Sequence, residues 1–537
     1  MRWDWDWDWG ALRLDNFALA GLILSPKSFS IDFLPGSRII CTFAHITMFA
    51  QIDISRRETS SQLDQEKRSD LGQFFTPYEV ARFMASLFHV NGKSHMSLLD
   101  AGAGIGSLSV AFLEHFTART KANLDILAYE LDNSVSSVLK SNLEGCLELL
   151  AAGNITSEII KGDFIQEAVI KYLTGRHPSV DYAILNPPYR KINSDSAHRL
   201  LLRKVGIETA NLYSAFVALS VLMLKDGGEL VAIVPRSFCN GPYFKAFREF
   251  ILARTAIKQI HIFSARNKAF KEDSVLQENI IIHLRKTEEQ GMVKISSSSG
   301  KDFSDLGEFE VPFERIVSSI DSEKFIHIPS TVENLYEFAF DNFTSSLSEL
   351  GIEVSTGPVV DFRVKDFLRN EPEEKTAPLL YPAHFGEKTI KWPKANFKKA
   401  NSIVVAPETV RQLFPTGCYT LVRRFSSKEE KRRIVARVVT PDDLPSEFIG
   451  FENHLNVFHQ SKKGLSEEVS LGLAVYLNST LIDNYFRQFN GHTQVNVTDL
   501  RLLKYPNKKM LFELGAWAKD IQNFDQSIID SKISSLI

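Results

Sequence analysis

Residues 97–106 read SLLDAGAGIG, an apolar run followed by an acid and then glycines at 102, 104 and 106, ahead of a helix that starts near Ser107. Glycine lets backbone approach a ligand closely at a helix N-terminus. Alone, such a loop serves a dinucleotide site or a plain tight turn equally well, so its surroundings must decide. From about residue 70 to 290, short apolar strands alternate with helical stretches. That is the βαβ signature of a sheet covered by helices on both faces. Seven strands are expected, at 97–100, 126–130, 159–161, 182–185, 229–234, 257–263 and 279–284. Only a polar segment joins the last two, so they read as an antiparallel pair closing an otherwise parallel sheet.

The strand ends carry the chemistry. The first ends in Asp100 beside Gly102, Gly104 and Gly106. The second, ILAYELD (126–132), ends in Glu130, 28 residues after Gly102, where an acid can take both hydroxyls of a ribose. The third, IIKGDF (159–164), ends in Asp163, suited to accept an adenine amino group, and Phe164, suited to cover the ring. The fourth, DYAILNPPYRKI (181–192), stops abruptly at Asn186, Pro187, Pro188 and Tyr189. Two prolines remove two donors and fix φ, giving a rigid turn at the strand end where open α/β sheets bind ligands. Each acid alone is more often a solvated strand-end residue. Three in register are harder to dismiss.

This set resembles S-adenosylmethionine-dependent methyltransferases, and NPPY resembles their amino-methyltransferase motif. Upstream, GQFFTPYEVARFMASLF (72–88) is similar to the segment that precedes the glycine loop in the γ class of DNA adenine-N6 methyltransferases. IETANLYSAF (207–216), PRSFCNGPYF (235–244) and SVLQENIII (274–282) resemble the BsuBI/PstI group of modification methylases. NGHTQVNVTDLRLLKYP (490–506) is similar to the closing element of recognition domains in related enzymes, and STGPVVDFR (355–363) carries a weaker likeness. The resemblance implies a Rossmann-like α/β sheet, mostly parallel with an antiparallel last strand, and then an α+β DNA-recognition domain.

The family pattern also implies roles. Thr76 and Pro77 would contact the methionine end of S-adenosylmethionine, while Asp100, the three glycines, Glu130, Asp163 and Phe164 would hold the rest. The Asn186 side-chain oxygen and the Pro187 carbonyl would accept the two hydrogens of an adenine amine, and Tyr189 would stack on a flipped base. Phe270, in RNKAFKED, stands where the family places a second aromatic wall, with core packing as the alternative. The implied substrate is double-stranded DNA, and the implied partner is a separately encoded restriction endonuclease. NPPY also occurs in enzymes acting on glutamine of release factors or on ribosomal RNA. A non-catalytic DNA-recognition subunit is a further rival.

Bulk properties bound the rest. A chain of 537 residues suggests about three units, expected at 1–47, 48–295 and 302–537, with ISSSSGK (295–301) as a linker. MRWDWDWDWG lacks a secretory signal's basic start and apolar middle, and residues 1–47 are expected to be a non-native or disordered extension before Met48. The net charge is −3, yet 386–433 holds twelve Lys/Arg against four Asp/Glu. KTIKWPKANFKK (388–399) sets lysines around Trp392 and Phe397, either a solvated face or a nucleic-acid contact. Candidate base readers are Lys391, Lys394, Arg423, Arg424, His492 and Gln494. Cys41, Cys146, Cys239 and Cys418 form no C-x-x-C pair, so neither disulfides nor a metal are expected and a reducing cytoplasm fits. No apolar run reaches the roughly 20 residues of a membrane span. Monomeric action is the expectation.

Overall fold

The computed structural model describes residues 51–62, 74–90, 92–150, 154–263, 278–300, 303–319, 321–329, 343–427, 429–444, 446–491, 493–522 and 524–536. The expected extension at 1–47, together with Phe270 and His492, lies outside them. Residues from Thr47 onward form one compact unit.

All seven expected strands are present, each inside a longer one. They are β1 (His95–Ala101), β2 (Asn123–Glu130), β3 (Ile155–Lys161), β4 (Val180–Leu185), β5 (Leu224–Pro235), β6 (Thr255–Phe263) and β7 (Asn279–Lys286). Helices α1 (Tyr78–Ser86), α2 (Ser107–Thr117), α3 (Asn133–Leu149), α4 (Phe164–Leu173), α5 (Ala197–Lys204), α6 (Leu212–Met223) and α7 (Lys245–Leu252) flank them. The strand order is β3-β2-β1-β4-β5-β7-β6, with β7 antiparallel to both β5 and β6. Strand β4 is buried along all six residues, as a central parallel strand covered on both faces must be.

The sheet does not stop at β6. Two further strands, β8 (Met292–Ser298) and β9 (Gly307–Pro312), extend its edge, β8 parallel to β6 and β9 antiparallel to β8. The stretch ISSSSGK is therefore no linker, because residues 295–298 are in β8. Its serines look solvent-bound in sequence, but Ser296 and Ser298 are buried and their hydroxyls sit 3.0 and 3.1 Å from the two ring nitrogens of His261 on β6. Burial pushes that imidazole down to about 4, and the hydroxyls satisfy a neutral ring.

The described residues after β9 build two small sheets. One joins Glu353–Thr356, Leu455–His459, Tyr419–Arg423 and Ala436–Val439, and the other has five strands. Helices Glu467–Leu477, Thr480–Phe489, Lys508–Lys519 and Gln526–Ser534 follow and share one apolar core with the first of these sheets. This half meets the first along the segment after β5. Arg236 is buried, pairs with Glu278 at 2.7 Å, and donates to the carbonyls of Arg487 and Gln488. Asn240 donates to the Asp499 carboxylate, which also takes the Asn490 amide. Two stretches singled out from sequence, 235–244 and 490–506, thus grip one another. Among the described residues no helix is long and apolar enough to cross a membrane.

Candidate active site

A cleft of roughly 950 Å3, including its open mouth, lies across the C-terminal ends of β1, β2 and β4. Its floor is the glycine loop. Gly102 and Gly104 have φ of +79° and +57°, a conformation L side chains rarely adopt. A Cβ on Gly104 would come within 3.1 Å of the Phe75 ring. Gly106, at φ +88°, does not line the cleft but precedes α2, where a Cβ would meet Leu139 at 2.8 Å. The site is carved by absent side chains.

Glu130 stands at the end of β2 with both oxygens in use. Oε2 accepts from the Gly104 backbone N–H at 2.8 Å and Oε1 from that of Asp132 at 2.8 Å. Burial raises its carboxyl above the ordinary range, while those two N–H groups pull the other way. The acid therefore braces the loop and also presents a charged acceptor to the cleft. Asp163 caps α4, its Oδ1 accepting from Ile165 and Gln166. Its Oδ2 lies 2.6 Å from His198 Nε2 on α5, so the edge expected to meet an adenine amine is shared with an imidazole. Phe164 and Phe216 supply aromatic walls with centroids 5.0 Å apart.

Asp100 is elsewhere. It is fully buried behind the loop, accepts from Ser109 Oγ at 2.6 Å through Oδ2, and does not line the cleft. Burial pushes its carboxyl up to about 7, with the Glu130 charge adding and the Ser109 hydroxyl opposing.

Asn186 reaches the cleft from β4 in one fixed orientation. Its Nδ2 donates to the Phe74 carbonyl at 2.8 Å and to Thr76 Oγ1 at 2.9 Å. A carbonyl only accepts, so the nitrogen end must face Phe74, and Oδ1 is the acceptor end. The Tyr189 hydroxyl lies 3.0 Å from that Oδ1 and 3.2 Å from the Ile233 carbonyl. Burial raises the phenol far above its usual value, so it stays a neutral donor. Pro187 is buried in the turn, and Pro77 sits at the start of α1. The Phe74 and Tyr189 rings stand 6.5 Å apart, 28° from parallel.

Thus Gly102, Gly104, Glu130, Asp163, Phe164 and Asn186 line one cleft, and Thr76 and Tyr189 set the orientation of Asn186. Sequence reasoning missed Phe75, His198 and Phe216. Phe75 lay in plain view beside Thr76, but His198 has no local signature, since its partner is 35 residues away. The cleft suits an adenosyl cofactor in its chemistry, with a carboxylate at the end of β2, two aromatic walls, and space over the glycines where a Cβ would intrude.

A glycine loop after β1, an acid ending β2 and a rigid NPPY turn after β4, on this strand order, define an S-adenosylmethionine-dependent methyltransferase. The comparisons narrow the class. The Eco57I restriction-modification methylase family matches residues 96–270. Type II methyltransferase M.BsuBI of Bacillus subtilis is 49% identical across 90% of this chain and 97% of its own length. Type II methyltransferase M.PstI of Providencia stuartii is 45% identical across 91% and 97%. A solved DrdV–DNA complex aligns with a TM-score of 0.49 at 11% identity, over 89% of this chain and 59% of that one. The chain belongs to the type II restriction-modification methyltransferases, and S-adenosylmethionine is its cofactor.

Proposed function

We propose that this chain methylates adenine N6 at a specific site in duplex DNA, in the cytoplasm and as a monomer, protecting host DNA from a separately encoded restriction endonuclease. The observation that carries this reading is the locked amide of Asn186. An exocyclic amine is a poor nucleophile because its lone pair is delocalised into the ring. It gains nucleophilicity as acceptors for its two hydrogens favour the tetrahedral form. Asn186 Oδ1 is one such acceptor, held so that no reorientation is needed as charge develops. The Pro187 carbonyl is the second, fixed by a turn that two prolines stiffen. S-adenosylmethionine, when bound, supplies an electrophilic methyl on a sulfonium sulfur. No base is required beforehand, since the surplus proton leaves to solvent after transfer.

An adenine inside a duplex cannot reach this cleft, so the base is flipped out at a cost of a few kcal/mol. Tyr189 covers its face, and Phe270 is the expected opposite wall. The Tyr189 hydroxyl hands its hydrogen bond over to Ile233, which frees Asn186 for the amine. In this reading the nine-stranded sheet through β9 and its helices carry the chemistry, and the half that follows β9 reads the site. Specific reading takes a few side chains at base edges and many phosphate contacts. Arg424 and Gln494, 3.5 Å apart, stand beside the exposed ring of Phe425, Gln494 being part of the gripping element 490–506.

The test supplies labelled S-adenosylmethionine with duplex DNA, ribosomal RNA or a release factor, then digests the product to identify the modified group. N6-methyladenine in DNA is the expected product. Label in RNA or glutamine, or in cytosine, overturns the proposal.

A further inference from the structure

Three side chains with no part in methyl transfer converge at the opposite end of the sheet. His89 follows α1, Glu229 lies on β5 and His283 on β7. Glu229 Oε1 is 3.4 Å from His89 Nδ1, and Glu229 Oε2 is 3.1 Å from His283 Nε2. The three ligand atoms all lie within 4.8 Å of one another. Glu229 is six residues before Pro235, at the end nearest the cleft, and six strand residues span roughly 20 Å.

We propose that His89, Glu229 and His283 form a binding site for a divalent transition ion, zinc foremost, with water completing the shell. Bonds of about 2.0–2.1 Å in a tetrahedral shell put neighbouring ligand atoms about 3.3 Å apart. The Glu229 Oε1–His89 Nδ1 pair, at 3.4 Å, already has that spacing, and His283 Nε2, now 3.1 Å from the other carboxylate oxygen, completes a set of ligand atoms within 4.8 Å of one another. Two imidazole nitrogens and one carboxylate oxygen favour zinc, cobalt or nickel over magnesium or calcium, which seek oxygen. The surroundings also fit. Glu229 and His283 are 3% and 2% exposed, so a carboxylate sits in a dry wall and calls for a cation. The His89 backbone N–H donates to Glu229 Oε2 at 3.0 Å, which steadies the carboxylate and leaves Oε1 to face a metal. The His89 ring is 74% exposed, leaving an open side for entry and for solvent ligands.

The ion would act as a clasp. It ties the end of α1 to two strands of the sheet, and the segment Phe74–Thr76, which holds the Asn186 amide, runs directly into the start of that helix. Its role is to stabilise the folded chain rather than to take part in transfer. The cysteine pattern gave no hint of it, because the ligands lie 140 and 54 residues apart.

The test uses full-length chain without a histidine tag, stripped of metal and titrated with Co2+ and with Zn2+. One equivalent of Co2+ should produce visible ligand-field bands, and Zn2+ should displace them and raise Tm. His89→Ala, at an exposed position, should keep the fold and duplex methylation without added metal while weakening Zn2+ binding at least tenfold and abolishing the Co2+ bands. His283→Gln should do the same from the buried side. Absence of stoichiometric binding at millimolar metal overturns the proposal, and so does unchanged binding in His89→Ala, which would place the metal elsewhere.

Discussion

Replacing Glu130 with glutamine separates its two jobs. The carboxylate accepts two backbone N–H groups at 2.8 Å each, from Gly104 and Asp132. Hydrogen bonds to a charged group contribute about 1.5–3 kcal/mol each. A glutamine keeps one acceptor oxygen and turns an NH2 toward the other N–H, so one bond is lost and the survivor weakens. Relief of a buried charge offsets part of this, leaving a net stability loss of about 2 kcal/mol. For the cofactor, losing a charged acceptor shared by two ribose hydroxyls costs about 3 kcal/mol, roughly 100-fold in Kd. Isothermal titration with S-adenosylhomocysteine measures the second effect, and urea unfolding the first. An analogue lacking both ribose hydroxyls should bind wild type and Glu130→Gln almost equally. Wild-type affinity in the variant, or an equal loss with that analogue, refutes the ribose role and leaves Glu130 as a loop brace.

Asn186→Ala removes the fixed acceptor and should lower kcat at least about 100-fold in single-turnover methylation of duplex DNA; an unchanged rate defeats the mechanism. Asp100 has a carboxyl near 7 in the fold against 3.8 when unfolded, so the folded chain holds its proton more tightly between those values. Its contribution is complete below about pH 4 and is lost as pH rises to about 7. Asp100→Asn should therefore gain stability relative to wild type across that window and run parallel above it, and parallel urea profiles throughout would contradict this. Gly491→Ala puts a Cβ 2.9 Å from the Arg236 carbonyl, backbone against backbone. It should weaken duplex binding while leaving S-adenosylhomocysteine affinity unchanged, as titration with each ligand will show.

The sheet was legible because its central strands are continuous apolar runs between glycine, proline and acidic punctuation, and that contrast survives in a single sequence. Strand β8 was not, since four serines in a row read as solvated until the buried His261 supplies partners for two of them. The cleft was legible where one strand end carries its own residue, as with Glu130 and Asn186. It was illegible where a pair closes through space, as with His198 and Asp163. Asp100 illustrates a subtler failure: position at the strand end was right, but the side chain points into the core toward Ser109. The basic excess over 386–433 is also partly taken up by partners within the chain. Lys388 donates to the carbonyls of Ala518 and Ile521, Lys399 pairs with Asp361, and Arg423 with Glu430.

The grip of Arg236 and Asn240 on residues 487–499 has an engineering consequence. Halves that dock through buried backbone carbonyls and one carboxylate can be exchanged between relatives only with the docking residues intact. A hybrid carrying another enzyme's second half should fold and work when Arg236, Asn240 and Asp499 find their counterparts. Without them it should become a methyltransferase whose two halves aim at different places.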